Sequence, residues 1–319
     1  MCELDLLDDA LQRYGMTSAK VELIRHNENM TYCIDDNFLL RIHKSKDGFS
    51  ASPFYKDIDM IKVRESELKF LEHLKSNGLY VQSPITNDND ELVTVLGDGT
   101  AVTLLTWLPG RTLDKSDLSE ELGYKLGEML GKLHISAKGY RTDYTLRYDQ
   151  KLCQRSQELL LNLFSNERID KKYYEIVINT LELIGDKLKQ SETEYIHIHS
   201  DLSLSNILVT NDGLIPIDFS LFGYSDPLLD FGSFYCFVND ANCRLSIVKG
   251  YEEQTGRKIN TDEINIYFAL QIILGIVLHY ELWINEDWFY KRLPEWCNET
   301  FTPLLEKNVY ISGGSIWLK

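Results

Sequence analysis

The chain has 319 residues, 44% hydrophobic and 26% charged, a globular composition that excludes a largely disordered polypeptide. Its net charge is −16, and no cluster of lysines and arginines interrupts it, which argues against nucleic acid as a partner. An acidic surface also steers cationic ligands toward the molecule.

The six cysteines (Cys2, Cys33, Cys153, Cys236, Cys243 and Cys297) are scattered, with no C-x-x-C pair. Neither a zinc site nor a disulfide framework is signalled, and reduced thiols in a cytoplasm are expected. The acidic start, Met1-Cys2-Glu3-Leu4-Asp5, lacks the positive region of a secretion signal. The longest apolar stretch, Ile266 to Ile284, contains Gln271, His279 and Glu281. It predicts a buried helix rather than a membrane span, so no membrane partner is expected.

In chain order, Leu4, Leu7, Leu11 and Tyr14 recur at helical spacing, with Gly15 as the stop. Strands are predicted at Val21 to Ile24, Met30 to Ile34 and Phe38 to Ile42. Asp35-Asp36-Asn37 turns the last two into a hairpin. A helix is predicted from Asp57 to Ser76, with Ile58, Ile61, Leu68, Leu71 and Leu74 as its apolar face. Two more strands, Glu91 to Leu96 and Ala101 to Thr106, flank Gly97-Asp98-Gly99. The rest reads as helices. One combines a stripe of Leu118, Leu122, Leu126, Met129 and Leu133 with glycines at 123, 127 and 131. Mid-helix glycines cost up to about 1 kcal/mol each, so the three imply close approach of another backbone. Further helices are predicted over 148–164, 170–190, 241–255 and 261–284. The fold class is therefore α+β: a small antiparallel β-sheet lobe with one main helix, residues 1–106, then a large, mostly helical lobe, residues 107–319.

The chemistry concentrates in His199-Ser200-Asp201-Leu202-Ser203-Leu204-Ser205-Asn206. It fits H-x-D-x-x-x-x-N, the catalytic-loop spacing of kinases. A strand from Asn206 to Thr210, a turn at Asn211-Asp212-Gly213 and a strand from Leu214 to Asp218 follow. A ribbon symmetric about Asp212 would set Asn206 opposite Asp218, with Cβ atoms about 5 Å apart on one face. Such an oxygen pair can hold Mg²⁺, with Asp201 close by. Pro216 cannot donate a ladder bond, so one side of its strand should be unpaired. Asp230-Phe231-Gly232 spells a protein-kinase metal motif but lies well past the ribbon; Asp230 is read as a structural brace. His197 and His199 alternate with Ile196 and Ile198 and lack further ligands nearby, so they read as hydrogen-bonded structural histidines.

These segments, with Ile217-Asp218-Phe219 and the run Ser225-Asp226-Pro227-Leu228-Leu229-Asp230, resemble the aminoglycoside phosphotransferase and choline kinase superfamily. Weaker likeness extends through residues 28–32, 38–42 and 107–110. The resemblance implies a protein-kinase-like two-lobed fold and transfer of a phosphoryl group from ATP or GTP to a small-molecule hydroxyl. It implies Asp201 as catalytic base, Asn206 and Asp218 as Mg²⁺ ligands, and Arg41 where relatives carry a phosphate-binding lysine. Glu67, with Glu65 as rival, would partner Arg41. Asn29 and Thr31 would lie in the loop over the phosphates, and Leu105, Trp107 and Leu108 in a hinge receiving the nucleobase.

Two other readings share these residues: a protein Ser/Thr kinase, and a nucleotide-binding pseudokinase that regulates a partner. The absence of G-x-G-x-x-G argues against an ordinary protein kinase, and the intact Asp201, Asn206 and Asp218 set argues against the pseudokinase. A group of aromatic and acidic residues (Tyr280, Glu281, Trp283, Glu286, Asp287, Trp288, Tyr290, Glu295 and Trp296) suits a cationic acceptor, although helix packing accounts for it more simply.

Overall fold

The computed structural model describes residues 3–46, 52–56, 58–164, 169–191 and 194–306, so Cys2 and Asp57 lie outside the described residues. The chain divides into two compact units at Gly110, the first also taking Thr142–Thr145.

The first unit opens with helix α1 (Glu3–Arg13). A six-stranded antiparallel sheet follows: β1 (Val21–His26), β2 (Met30–Ile34), β3 (Phe38–Ile42), β4 (Pro84–Ile85), β5 (Thr94–Val95) and β6 (Ala101–Thr106), ordered β1-β2-β3-β6-β4 with β5 also on β6. The β2–β3 hairpin closes as predicted. Ile34 opposes Phe38, and Asp35 and Asp36 take the left-handed conformations (φ 52° and 54°) that suit a tight hairpin turn. Leu40 and Ile42 face the apolar core with Leu6, Ala10 and Leu11 of α1. Strand alternation then sends Arg41 to the other face, where α2 (Met60–Ser76) supplies Glu67. This helix starts later than the pattern predicts. Asp59 caps it by accepting from the Ile61 and Lys62 amides, and Ile58 lies before the cap. The strand expected from Glu91 shortens to two residues.

The second unit contains β7 (Arg111–Thr112), α3 (Glu120–Ala137), β8 (Leu146–Arg147), α4 (Gln150–Phe164), α5 (Lys171–Gln190), β9 (Ile196–Ile198), β10 (Ile207–Thr210), β11 (Gly213–Pro216), β12 (Gly223–Ser225), α6 (Leu228–Tyr235), α7 (Ala241–Thr255), α8 (Thr261–Trp283) and α9 (Asp287–Trp296). Two glycines of the stripe meet a backbone as expected, while Gly131 faces the side chains of Gln254 and Thr255. A Cβ at Gly123 would lie 2.6 Å from the Cys243 carbonyl oxygen, and one at Gly127 would collide with that of Ile247. Both partners lie on α7, whose Gly250 in turn faces the Tyr124 carbonyl of α3. Helix α8 is long and apolar enough to cross a membrane by length and composition alone, but its buried residues surround it. It is the core helix of this unit, packed against α4, α5 and α6. The described cysteines are all free and buried.

Candidate active site

The ribbon β10–β11 forms with a register one residue off the symmetric expectation. Ile207 opposes Pro216 and Thr210 opposes Gly213, so the turn is Asn211-Asp212 alone, closed by Gly213 at φ 114°. Asn206 therefore opposes Ile217, whose amide donates to the Asn206 carbonyl at 2.9 Å, and not Asp218. Asp218 follows at φ 63°, which turns the chain out of the strand at once. The predicted face-sharing of Asn206 and Asp218 by strand parity is thus replaced by a bend at Asp218. The cause is the two-residue turn that Gly213 permits. Pro216 lies on an edge strand, since β10 separates β11 from β7.

Asn206 ends a one-turn 3-10 helix, Leu204–Asn206, and donates from Nδ2 to both the carbonyl and Oδ2 of Asp201, each at 2.9 Å. Both amide hydrogens are thereby committed to Asp201, and the side-chain oxygen remains as its acceptor. His199 lies behind them. Its Nε2 donates to the Ile217 carbonyl at 2.9 Å, and its Nδ1 accepts from the Asp201 amide at 3.3 Å. Burial lowers its pKa against the opposing pull of Asp230, which agrees with this neutral tautomer. The imidazole thus joins the loop carrying Asp201 to the strand end that precedes Asp218. His197 stays in the core among the rings of Tyr140, Phe222 and Tyr224.

Asp230, with 0% exposure, sits on α6 and holds the loop from below. Its Oδ1 accepts from the Ser200 amide at 2.6 Å. Its Oδ2 accepts from the His199 amide at 3.2 Å and from His134 Nε2 at 2.9 Å. One turn on, Ser233 Oγ accepts from the Leu202 amide at 2.8 Å. The neighbouring Phe231 and Gly232 serve packing: a Cβ at Gly232 would lie 2.6 Å from the Tyr267 backbone of α8. His134, Ser233, Tyr148 and Gln271 also join this network, and no local sequence pattern announces them.

In the sheet unit, Arg41 Nη2 donates to Glu67 Oε1 at 2.7 Å, with side-chain exposures of 4% and 1%. Arg64 approaches the other oxygen of Glu67 at 3.6 Å. Glu65 pairs with Lys69 at the surface and is no rival. Thr31 lies inside β2 rather than in a loop. It opposes Arg41, which opposes Thr103, so a buried β-branched row flanks the guanidinium. Asn29, just before β2, accepts from His43 Nδ1 at 2.7 Å, while Thr103 Oγ1 lies 3.1 Å from Nε2. Burial first, then Arg64 and Arg41, pull His43 well below its ordinary pKa, leaving it neutral. His43 shares the face of Arg41 two residues on, a parity signal the sequence reading did not use. Leu105 lies within β6 between β3 and β4, and the Trp107 amide donates to the Asn37 carbonyl at 2.7 Å. Of the three hinge candidates, Leu108 is the one beyond the ladder.

The aromatic and acidic group separates. Tyr280, Trp283 and Trp296 are buried, and Trp283, Trp288 and Trp296 pack ring against ring 5.1 to 6.3 Å apart, while Glu281, Glu286 and Asp287 face solvent.

An antiparallel sheet unit bearing a buried Arg–Glu pair, followed by a helical unit bearing this loop and ribbon, is a kinase-like fold. The microcompartment-associated aminopropanol kinase superposes with a TM-score of 0.73 at 18% identity, covering 97% of this chain and 100% of that one. An amicoumacin kinase in complex with AMP-PNP, Ca²⁺ and Ami gives 0.69 at 17% identity, over 95% and 94%. In sequence, amicoumacin kinase of Bacillus subtilis (strain 168) is 26% identical over 257 residues, 78% of this chain and 69% of that protein. Residues 26–260 match the phosphotransferase enzyme family, and the chain belongs to that family. That membership makes it a phosphotransferase.

Proposed function

We propose that this kinase moves the γ-phosphoryl group of ATP or GTP to the hydroxyl of a small amine-bearing molecule: an amino alcohol, an aminoglycoside or a choline-like amine. Asp201 orients the acceptor hydroxyl and takes its proton. Arg41, held by Glu67, contacts the phosphates, and Asn29 offers its N–H groups to them while its oxygen stays on His43. Thr31 flanks Arg41 from the strand, and Leu108 reads the nucleobase with its backbone. His199 and Asp230 support the loop.

The observation that carries this reading is the Asn206 amide. With both its hydrogens held by Asp201, its side-chain oxygen is left as the free donor atom, the kind a hard cation takes. Among the described residues no group of three or more His, Cys, Asp or Glu is gathered for a metal. Asn206 and Asp218 would therefore hold Mg²⁺ jointly with the nucleotide phosphates, as that ion prefers. When bound, the ion supplies neutralisation of phosphate charge.

The amine is supported by the net charge of −16 and by the aminopropanol kinase among the similar structures. It does not rest on the tryptophan cluster, whose rings contact one another. The free, buried cysteines suit a reducing cytoplasm.

The test is coupled ADP release over a panel of hydroxyl compounds, with Asp201→Ala in parallel. The reading expects turnover with an amine-bearing alcohol and its loss in the variant. Equal turnover by both proteins, or phosphorylation of protein hydroxyls alone, overturns it.

A further inference from the structure

One tyrosine hydroxyl spans the two stretches that carry Asp201 and Asp218. Ser200, immediately before Asp201, has φ 67°. That left-handed conformation is disfavoured for every residue but glycine, because Cβ crowds the carbonyl oxygen. Ser200 is nevertheless held there at every polar group. Its amide donates to Asp230 Oδ1 at 2.6 Å, and its carbonyl accepts from Gln271 Nε2 of α8 at 2.8 Å. Its hydroxyl donates to the Leu221 carbonyl and lies 2.7 Å from the Tyr148 hydroxyl. The Tyr148 hydroxyl in turn donates to the same Leu221 carbonyl at 2.8 Å. Three oxygens thus share two hydroxyl hydrogens, and the triangle keeps two hydrogen bonds as long as at least one hydroxyl donates to the carbonyl.

Leu221 lies in the turn Phe219–Phe222, closed by the Phe222 amide on the Phe219 carbonyl at 2.9 Å, three residues after Asp218. Tyr148 itself is fixed. It is 4% exposed, and its amide donates to the Tyr224 carbonyl at 3.0 Å. Its ring covers Gly223 so closely that a Cβ there would lie 2.9 Å from Cδ2. The hydroxyl therefore stands on a rigid support, and the irregular loop and the turn are tied to it.

We propose that Tyr148, acting through Ser200, is a positioning residue for phosphoryl transfer. Its hydroxyl holds the left-handed turn that presents Asp201 and fixes that turn against the segment leaving Asp218. Gln271 completes the hold from the other side. The proposal rests on the reading of Asp201 as the base. The clamp touches no group assigned to nucleotide contact, so its loss is read in kcat before KM.

The experiment measures kcat and KM for wild type, Tyr148→Phe, Ser200→Ala, Ser200→Gly and the two double variants, with Asp201→Asn beside them. Tyr148→Phe removes one oxygen and keeps the ring, and its thermal unfolding midpoint is recorded with the kinetics. Tyr148→Phe and Ser200→Ala are each expected to lower kcat about tenfold at unchanged nucleotide KM, as small misplacements of a reacting group do. Their double variant should fall no further, because both remove the same hold. Ser200→Gly should return kcat to within about threefold of wild type, since glycine adopts this φ freely, and Tyr148→Phe should then have little effect in the glycine background.

Multiplicative losses, Ser200→Gly no better than Ser200→Ala, or an unchanged kcat in Tyr148→Phe would each overturn the proposal. If Ser200→Ala does not fold, the comparison of Tyr148→Phe with Tyr148→Phe/Ser200→Gly decides alone. Failure of the underlying reading looks different: Asp201→Asn would then turn over as fast as wild type. An inactive Asp201→Asn with a fully active Tyr148→Phe sinks the clamp only.

Discussion

Glu67 in the sheet unit and Asp230 in the helical unit are both carboxylates almost closed to solvent, at 1% and 0% exposure, yet they hold different kinds of partner. Glu67 binds a side chain, the Arg41 guanidinium, whose direction is already set by the alternation of β3 between two ladder partners. Asp230, besides the His134 ring, binds backbone: the amides of His199 and Ser200, in a loop with no ladder to shape it. Where secondary structure fixes the backbone, the buried acid serves charge. Where it does not, the acid serves geometry. Removing the same negative charge from the two places should therefore injure different steps.

The largest effect is expected at Asp230. An amide in its place offers one acceptor oxygen for donors that now use two, and sets an N–H group against one of them. Asp230→Asn should lower kcat about a hundredfold, with nucleotide KM within about threefold of wild type, because a displacement of the base on the order of 1 Å costs that much. A loss confined to KM would break the comparison. Next comes Glu67→Gln. Arg41 keeps its strand and its direction but loses a buried countercharge, so nucleotide KM should rise about tenfold with kcat changed little. A kcat loss as deep as that of Asp230→Asn would show that Glu67 also shapes the loop.

The smallest effect per step is acid sensitivity. Burial holds His43, His199 and His279 below the ordinary histidine value of 6.5, His279 at about 4. The unfolded chain takes up protons at the ordinary value and the folded chain refuses them, so stability is full above pH 6.5 and declines below it. The decline approaches roughly 1.4 kcal/mol per pH unit for each histidine, until its folded pKa is reached. Two of the three lie in the helical unit, so thermal melts from pH 7 to 4.5 should destabilise that unit more than the sheet unit. Melts that stay flat over this range contradict the neutral assignments.

The same contrast explains what the sequence disclosed. The hairpin of β2 and β3 was legible to the residue, because two five-residue, mostly apolar runs flank an Asp-Asp-Asn turn. A close backbone contact on α3 was legible because glycines at strict fourfold spacing have no cheaper explanation, but nothing in the pattern pointed to α7 as the partner. Strands of two residues, β4, β7 and β8, carry no period and were missed. The β10–β11 register slipped by one because Asn211-Asp212-Gly213 accommodates either turn length. His199, Asp201 and Asn206 were found because they share one short motif. Tyr148, His134 and Gln271 reach the same loop from far along the chain, and hydrogen bonds that join distant residues leave no mark on local pattern.

The central claim is that Asn206 and Asp218 hold the metal while Asp201 acts beside it. Binding of Mn²⁺ in the presence of AMP-PNP, followed by water-proton relaxation, tests it without catalysis. Asn206→Ala and Asp218→Asn should each weaken Mn²⁺ binding by at least about tenfold, and Asp201→Asn by less than about threefold. Equal Mn²⁺ affinity in wild type and all three variants would contradict the account.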